Sequence, residues 1–189
     1  MKKTPLISLV SILMVFISFS QETTIQSSEK LNFNELKLNM TNLIGFKWFD
    51  ISYERTINEE SSFGIGILTK IGSDLDDGDG LDEYRTFSLT PFYRQFFSKK
   101  HAQGFFVEGF AMLHSGKETY GYDYNPVDYT YTYQYEKYTD LAIGVSAGAK
   151  FITKRGFVAE IYLGIGRDLL DQSDIEVVGR GGVALGFRF

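Results

Sequence analysis

The stretch VVGRGGVALGFRF, residues 177–189, decides the fold prediction for this chain. Large apolar residues such as Leu185 and Phe187 alternate in it with small or charged residues such as Gly186 and Arg188. A period of two gives a strand one apolar face and one polar or bare face. Earlier segments share this pattern, which is typical of an outer-membrane β-barrel with lipid outside and a narrow polar interior.

Eight segments show the alternation. They span residues 35–44, 48–55, 62–71, 86–97, 104–114, 140–151, 157–167 and 177–189. The connections are short after the second, fourth and sixth segments and longer after the third, fifth and seventh. This asymmetry predicts an all-β fold, an eight-stranded antiparallel up-and-down transmembrane β-barrel with short periplasmic turns, long outer loops and both termini in the periplasm.

Residues 1–20 have the pattern of a cleaved secretory signal peptide. Lys2 and Lys3 precede an apolar run of about fourteen residues, too short for a comfortable spanning helix. Ser18 and Ser20 fit a small-x-small cleavage site. We therefore expect export with cleavage near Ser20, and the alternative is an uncleaved anchor.

The remaining chain is expected to hold a short periplasmic segment, residues 21–34, and the outer-membrane barrel, residues 35–189. Without cysteine, it can be neither acylated on an N-terminal Cys nor stabilised by disulfides. Loss of the two leader lysines leaves a net charge of −7, which argues against nucleic-acid partners. No segment after the signal approaches eighteen consecutive apolar residues, which excludes a helical membrane protein.

Aromatic residues of the apolar face gather at the short-turn ends of the segments. They are Tyr53, Phe63, Tyr93, Phe97, Phe105, Phe151, Phe157, Phe187 and Phe189. Aromatic side chains collect where a barrel crosses the membrane interface, so the pattern predicts a girdle at one depth. The alternatives are the core of a soluble β-sandwich and a soluble lipocalin-like carrier.

The opposite face carries charges among small residues. An eight-stranded barrel is only wide enough for its own side chains, and buried charge must be paired or hydrated. We therefore expect a lumen plug of salt bridges between acids and bases: Glu54, Glu108, Glu160, Arg94, Lys150 and Arg180. The alternative is a narrow channel for ions or small solutes.

Two loops are candidate contact sites. Residues 74–83 are rich in carboxylate and glycine but fail the spacing of the helix-loop-helix calcium template, so a solvated acidic loop is favoured over cation binding. A tyrosine-rich segment predicts a β-hairpin that extends the fifth and sixth strands, with Pro126 in its tip. Its expected contact residues are Tyr120, Tyr122, Tyr124, Tyr129, Tyr131, Tyr133 and Tyr135. The hairpin is a candidate for contact with glycan, lipopolysaccharide or protein, and the alternative is that its aromatic ladders stiffen it or rest at the headgroups.

The sequence offers little for catalysis or metal binding. His101 and His114 are far apart in the predicted topology, and no nucleophile motif surrounds either of them. Two scattered histidines without cysteine do not indicate a transition-metal site. We expect no catalytic residue, no metal and no cofactor.

Four motifs carry a resemblance to a known family. They are ISYER at 51–55, TPFYR at 90–94, GFFVEGF at 104–110 and RGGVALGFRF at 180–189. In order and spacing the chain resembles a family of small uncharacterised outer-membrane β-barrel proteins, catalogued as a domain of unknown function. The resemblance implies an outer-membrane location in a double-membraned bacterium and insertion by the barrel-assembly machinery, with Phe189 as part of its signal. It carries over no catalytic residues.

These features together favour a monomeric, plugged barrel with a structural or surface-interaction role through its outer loops. Its expected partners are outer-membrane lipids, lipopolysaccharide, the assembly machinery, and a surface glycan or protein. The second reading is a narrow channel, and the third is a lipid-modifying outer-membrane enzyme.

Overall fold

The structure is a computed structural model that describes residues 33–71, 85–98, 100–170 and 176–189, with the backbone alone at 118–120 and 130–133. The predicted signal peptide, most of the predicted periplasmic segment and the acidic loop at 74–83 lie outside the described residues. None of the helices formed by the described residues is long and apolar enough to span a membrane.

Eight strands form a closed antiparallel barrel, in which each strand pairs with the next and the last pairs with the first. They are β1 (Asn34–Asn39), β2 (Trp48–Thr56), β3 (Ser61–Lys70), β4 (Phe87–Phe96), β5 (Gly104–Asn125), β6 (Thr130–Ile152), β7 (Phe157–Asp168) and β8 (Val177–Arg188). The predicted eight-stranded up-and-down barrel is confirmed. The turns after β2, β4 and β6 lie at one end of the barrel, the short-turn end, and strands β3, β5 and β7 end at the opposite end, the long-loop end.

The period of two sets which side chains face outward. On β7, Ile161, Leu163 and Ile165 are exposed on the outer face, whereas Glu160 and Tyr162 are buried in the interior. The nine aromatic residues predicted for the girdle are all exposed. The barrel therefore has an apolar outer face and a polar, charged interior.

Aromatic rings fill the interior between the charges, and glycines leave room for them. Phe110 on β5 is paired with Gly144 on β6, and Phe106 is paired with Gly148 in the same way. A methyl group on either glycine would overlap the ring beside it. The inner face of β6 thus lacks side chains at the positions where aromatic rings project from the inner face of β5.

The first predicted strand, residues 35–44, is wrong in its second half. β1 ends at Asn39, and the chain continues as a short helix, α1 (Met40–Gly45). The side chain of Asn39 accepts a hydrogen bond from the backbone N–H of Asn42 at 3.2 Å, which caps the helix. The cap favours a helix here although the sequence pattern favours a strand. It provides a hydrogen-bond acceptor for the backbone N–H of Asn42, which in a strand would need an acceptor on a neighbouring strand.

The early end of β1 leaves part of β8 without a strand neighbour. β1 pairs with β8 only between Asn39–Ala184 and Glu35–Arg188, so residues 177–183 of β8 pair only with β7. Helix α1 lies beside this stretch, and the N–H of Val183 donates to Thr41 Oγ1 at 2.9 Å. We call this interruption of the wall, between α1 and residues 177–183, the notch.

The predicted tyrosine-rich hairpin is confirmed as an extension of β5 and β6. β4 pairs with β5 no further than Ser115, whereas β5 and β6 stay paired to Asn125 and Thr130. Ten residues of β5 thus continue beyond its neighbour, which at 3.3 Å per residue is a projection of about 33 Å. The tip contains Pro126, as the sequence predicts.

Candidate functional site: a salt-bridged plug and a chamber above it

Buried charges fill the short-turn half of the barrel interior. We call the following eight residues the plug: Glu35, Lys37, Glu54, Arg94, Glu108, Lys150, Glu160 and Arg188. All are buried, and four are acidic and four basic. Their formal charges therefore cancel, which a low-dielectric interior requires of ions that it holds together.

Arg94 is the centre of the plug. Its Nε donates to Glu108 at 2.6 Å, and its Nη1 donates to Glu54 at 2.9 Å and to Glu160 at 2.7 Å. The guanidinium carbon also lies 4.3 Å from the centroid of the Phe106 ring. One planar cation on β4 thus ties together carboxylates from β2, β5 and β7, across the full width of the lumen.

Two lysines bridge the same carboxylates from other strands. Lys150 Nζ donates to Glu54 at 2.5 Å and to Glu35 at 2.9 Å. Lys37 Nζ donates to Glu54 and, at 2.8 Å, to Glu160. Lys37 Nζ also lies 3.7 Å from Glu35, so Glu35, Glu54 and Glu160 each have more than one cationic neighbour in the plug.

Arg188 anchors the plug to the short-turn end. Its Nε donates to Glu35 at 2.8 Å, and its Nη2 donates to the backbone oxygen of Ala102 at 3.0 Å. Ala102 lies in the turn between β4 and β5. The lower end of the plug is thereby fixed to backbone and not only to other side chains.

The structure brings the six network residues expected from the sequence together. Arg94 contacts all three expected acids, Lys150 contacts Glu54, and Arg180 lies 3.2 Å from Glu108 at the upper surface of the plug. The expected set omits Glu35, Lys37 and Arg188. The alternation places Lys37 and Arg188 on the inner face as well, and parity could also have found Glu35, which has the same parity as Lys37 on β1.

A cavity occupies the long-loop half of the interior. We call its inward-facing part the chamber, and its principal lining residues are Trp48, Asp50, Gly66, Leu68, Arg85, Ser88, Met112, His114, Tyr138, Tyr162, Val178 and Arg180. The cavity extends onto the outer face of β6 to β8, and its whole volume is about 1230 Å³. The plug below and the chamber above divide the lumen into a filled half and an open half.

The side of the chamber next to the notch is polar. Asp50 accepts hydrogen bonds from the side chains of Asn42 at 2.7 Å and Asn39 at 3.1 Å. Asn39 also donates to the hydroxyl of Tyr162 at 3.2 Å and to the backbone oxygen of Gly181 on β8 at 3.0 Å. Asn39 therefore joins the end of β1 to the stretch of β8 that has no strand partner on this side, by one hydrogen bond across the inner side of the notch.

Arg85 reaches across the mouth of the chamber. Its Nη1 donates to Met112 Sδ at 3.1 Å and to the backbone oxygen of Gly179 at 3.3 Å. The guanidinium carbon lies 5.0 Å from the centroid of the Trp48 ring, a cation–π distance. No pattern in the sequence indicates a role for Arg85, because it precedes the alternating segment and its partners come from strands distant in sequence.

The two histidines lie at opposite ends of the barrel. His114 lies in the chamber wall, with Nε2 2.9 Å from Asp168 Oδ1. Ser88 is its partner in the β4–β5 register, but among the described residues no hydrogen bond joins the two side chains. His101, in the turn after β4, packs against Phe33 with ring centroids 6.0 Å apart. Within the described ranges, no three His, Cys, Asp or Glu side chains are grouped to hold a metal ion.

The described tyrosines of the hairpin are exposed. Tyr122, Tyr124, Tyr129 and Tyr135 are at its surface, with Tyr129 at the tip 77% exposed. The side chains of the other three predicted contact residues, Tyr120, Tyr131 and Tyr133, lie outside the described part of the chain. Tyr138, at the base of the hairpin, instead turns into the chamber wall and is buried.

Comparison of the chain with protein-family models, with curated proteins and with solved structures found no match. The resemblance stated from the sequence motifs therefore stays a prediction, and the function has to be argued from the geometry.

Proposed function

We propose that this chain is an outer-membrane β-barrel, sealed at its periplasmic half, that presents the β5–β6 hairpin at the cell surface for contact with glycan. The observation that carries the membrane location is the reversed polarity of the barrel. Leu163 on the outer face is 78% exposed, whereas Glu54 inside is 0% exposed. In water, a continuous apolar surface of this kind would drive aggregation, whereas in a bilayer it contacts hydrocarbon.

The plug supports a barrel that does not conduct. Its eight charges bond one another across the lumen, and the rings of Phe106 and Phe92 flank the central guanidinium of Arg94. An ion crossing this layer would have to displace several charged hydrogen bonds at once. A structural and binding role thus fits the interior better than the channel alternative.

The hairpin supports a role in surface contact. It projects about 33 Å beyond the neighbouring strand, well past the headgroups of the membrane. Exposed tyrosines offer rigid contact area with a polar hydroxyl, which suits stacking on sugar rings. The glycan part of lipopolysaccharide is the nearest ligand of this kind in the proposed location.

Two variants of the hairpin test the proposal. In the first, an Asn-Gly turn replaces residues 118–136 between Lys117 and Lys137, which are directly paired. In the second, Tyr122, Tyr124, Tyr129 and Tyr135 become Ser, which keeps the backbone. The purified barrel in lipid nanodiscs is passed over immobilised lipopolysaccharide.

We expect the wild-type barrel to bind, and both variants to lose binding while they keep the gel-mobility shift of a folded barrel. Retained binding by both variants would refute the contact role of the hairpin. Recovery of the processed chain in the soluble periplasmic fraction would refute the membrane location.

A further inference from the structure

The chamber lies outside both the plug and the hairpin, and its lining combines apolar side chains with a few buried hydrogen-bond donors. We infer that it binds a single-chain anionic amphiphile, with the carboxylate of a fatty acid at Arg85 and the acyl chain among apolar side chains. This inference goes beyond the proposed function, and it rests on the proposed membrane location only for the route by which the acyl chain enters.

Unpartnered donors in the chamber indicate a ligand that accepts hydrogen bonds. Trp48 is 6% exposed, yet in the part of the chain that the structure describes its Nε1–H has no hydrogen-bond partner, and neither has the Nε–H of Arg85. Within the described ranges, the guanidinium of Arg85 contacts the sulfur of Met112, the backbone oxygen of Gly179 and the Trp48 ring. Asp50, which lines the same chamber, is the carboxylate that acts most strongly on this charge, but among the described residues no carboxylate lies close enough to Arg85 to form an ion pair with it. A buried donor without an acceptor is costly, and a bound carboxylate would satisfy the charge and the hydrogen bonds together.

The rest of the lining suits an acyl chain. The apolar residues that face the same space are Phe46, Trp48, Leu68, Met112, Tyr138, Tyr162 and Val178. Met112 is a flexible side chain that adapts to irregular ligands. A cavity that is mainly apolar with a few convergent polar groups is the usual form of a small-molecule site.

The notch gives the acyl chain a way in from the side. Residues 177–183 of β8 have no strand partner on the β1 side, and the cavity continues to the outward-facing side chains of Ala147 and Leu163. Among the described residues, two hydrogen bonds join the end of β1 and helix α1 to this stretch, from Asn39 to Gly181 and from Val183 to Thr41, and Arg85 also donates to the backbone oxygen of Gly179. An apolar chain can therefore pass between hydrocarbon and chamber with few bonds broken.

The floor of the chamber makes it a binding site and not a passage. Arg180 closes the lower side, 3.2 Å from Glu108 of the plug and 5.0 Å from the centroid of the Phe92 ring. The plug fills the lumen below this level. A ligand that enters at the notch therefore leaves by the notch or the mouth.

Trp48 provides the assay, because it is the only tryptophan of the chain. Dibromostearate is titrated into the folded barrel in dodecyl maltoside micelles, and quenching of Trp48 by the bromine atoms is recorded. We expect saturable quenching by the acid. The methyl ester, which has the same chain without the charge, is expected to quench only weakly and without saturation. Retention of radiolabelled stearate gives a second readout that is independent of the tryptophan.

Two variants test separately the charge of Arg85 and the open volume of the chamber. Arg85→Met keeps the length of the stem but removes the cation, and loss of one charged hydrogen bond is expected to weaken stearate binding at least about tenfold. Gly66→Leu keeps the cation and fills the chamber. Its Cβ would stand 3.7 Å from the nearest atom, Nη1 of Arg180, so the backbone accepts it, and saturable binding is expected to disappear. Arg155→Met, at an exposed turn of the opposite end, is the matched control and should bind as wild type.

Equal quenching by acid and ester, or unchanged stearate binding in both Arg85→Met and Gly66→Leu, would overturn the inference. These results are independent of the cell-fractionation result. A barrel that binds stearate in micelles but is recovered as a soluble periplasmic protein would refute the proposed membrane location and leave the chamber site standing.

Discussion

Replacing Arg94 by Met tests the energetics of the plug most sharply. The variant removes a guanidinium that donates to three buried carboxylates at 2.6, 2.9 and 2.7 Å. Removal of one partner from a buried ion pair leaves uncompensated charge and typically costs 3–5 kcal/mol, and we expect a loss of about that size. Met keeps most of the buried apolar stem, so little of this loss comes from packing.

We expect the loss in the free energy of unfolding to stay within that range although three contacts of Arg94 are removed, because the three carboxylates keep other partners. Glu54 retains Lys37 and Lys150. Glu108 retains a hydrogen bond from Ser146 at 2.7 Å. The uncompensated charge is thus about one unit spread over the network, and not three isolated carboxylates.

A second substitution separates charge imbalance from lost contacts. Glu108→Gln in the Arg94→Met background removes one acid and returns the plug to equal numbers of acids and bases. We expect the double variant to recover about 1–3 kcal/mol relative to the sum of the single variants, because contacting residues of one network are strongly coupled.

Equilibrium urea unfolding of the refolded barrel, followed by Trp48 fluorescence and by gel mobility, measures the free energy of unfolding. Arg155→Met, an exposed turn residue, is the control and should stay within about 0.5 kcal/mol of wild type. A loss below about 1 kcal/mol for Arg94→Met, or a double variant no better than additive, would refute the role assigned to the plug.

Two further predictions use the same barrel. Gly144→Ala should destabilise it by about 1–3 kcal/mol through overlap with Phe110, whereas Gly109→Ala, with nothing within 4 Å of the added methyl, should be neutral in the same urea titration. In planar bilayers, wild-type barrel whose insertion is verified by protease digestion of the hairpin should give no conductance steps, and reproducible steps would contradict a sealed plug.

Most of the fold could be predicted from the alternation of apolar and polar residues, because a closed barrel with an apolar outer face and a polar inner face follows the same period along every strand. The parity of Ile161, Leu163 and Ile165 was enough to assign their face. The alternation could not predict that β1 ends at Asn39. Whether the chain continues there as a strand or turns into a helix depends on the cap formed by Asn39 and on pairing with β8, which is distant in sequence.

The membership of the salt-bridge network could be predicted in part, but its pairing could not. Parity placed Arg94 and Glu160 inside, yet their contact depends on the stagger of β4 against β7, which no local pattern encodes. The chamber could not be predicted from the sequence for the same reason. It exists because β1 stops early and because Arg85 crosses to β8, and both are properties of the closed barrel.

The central claim is that hydrocarbon contacts the outer face of the strands, and spin labels on β7 test it directly. The chain has no cysteine, so single Cys substitutions at 160–165 can be labelled without background. In vesicles, labels at 161, 163 and 165 should be accessible to oxygen and protected from a water-soluble nickel complex, whereas labels at 160, 162 and 164 should have low accessibility to both. High accessibility of residues 161, 163 and 165 to the nickel complex would contradict the account.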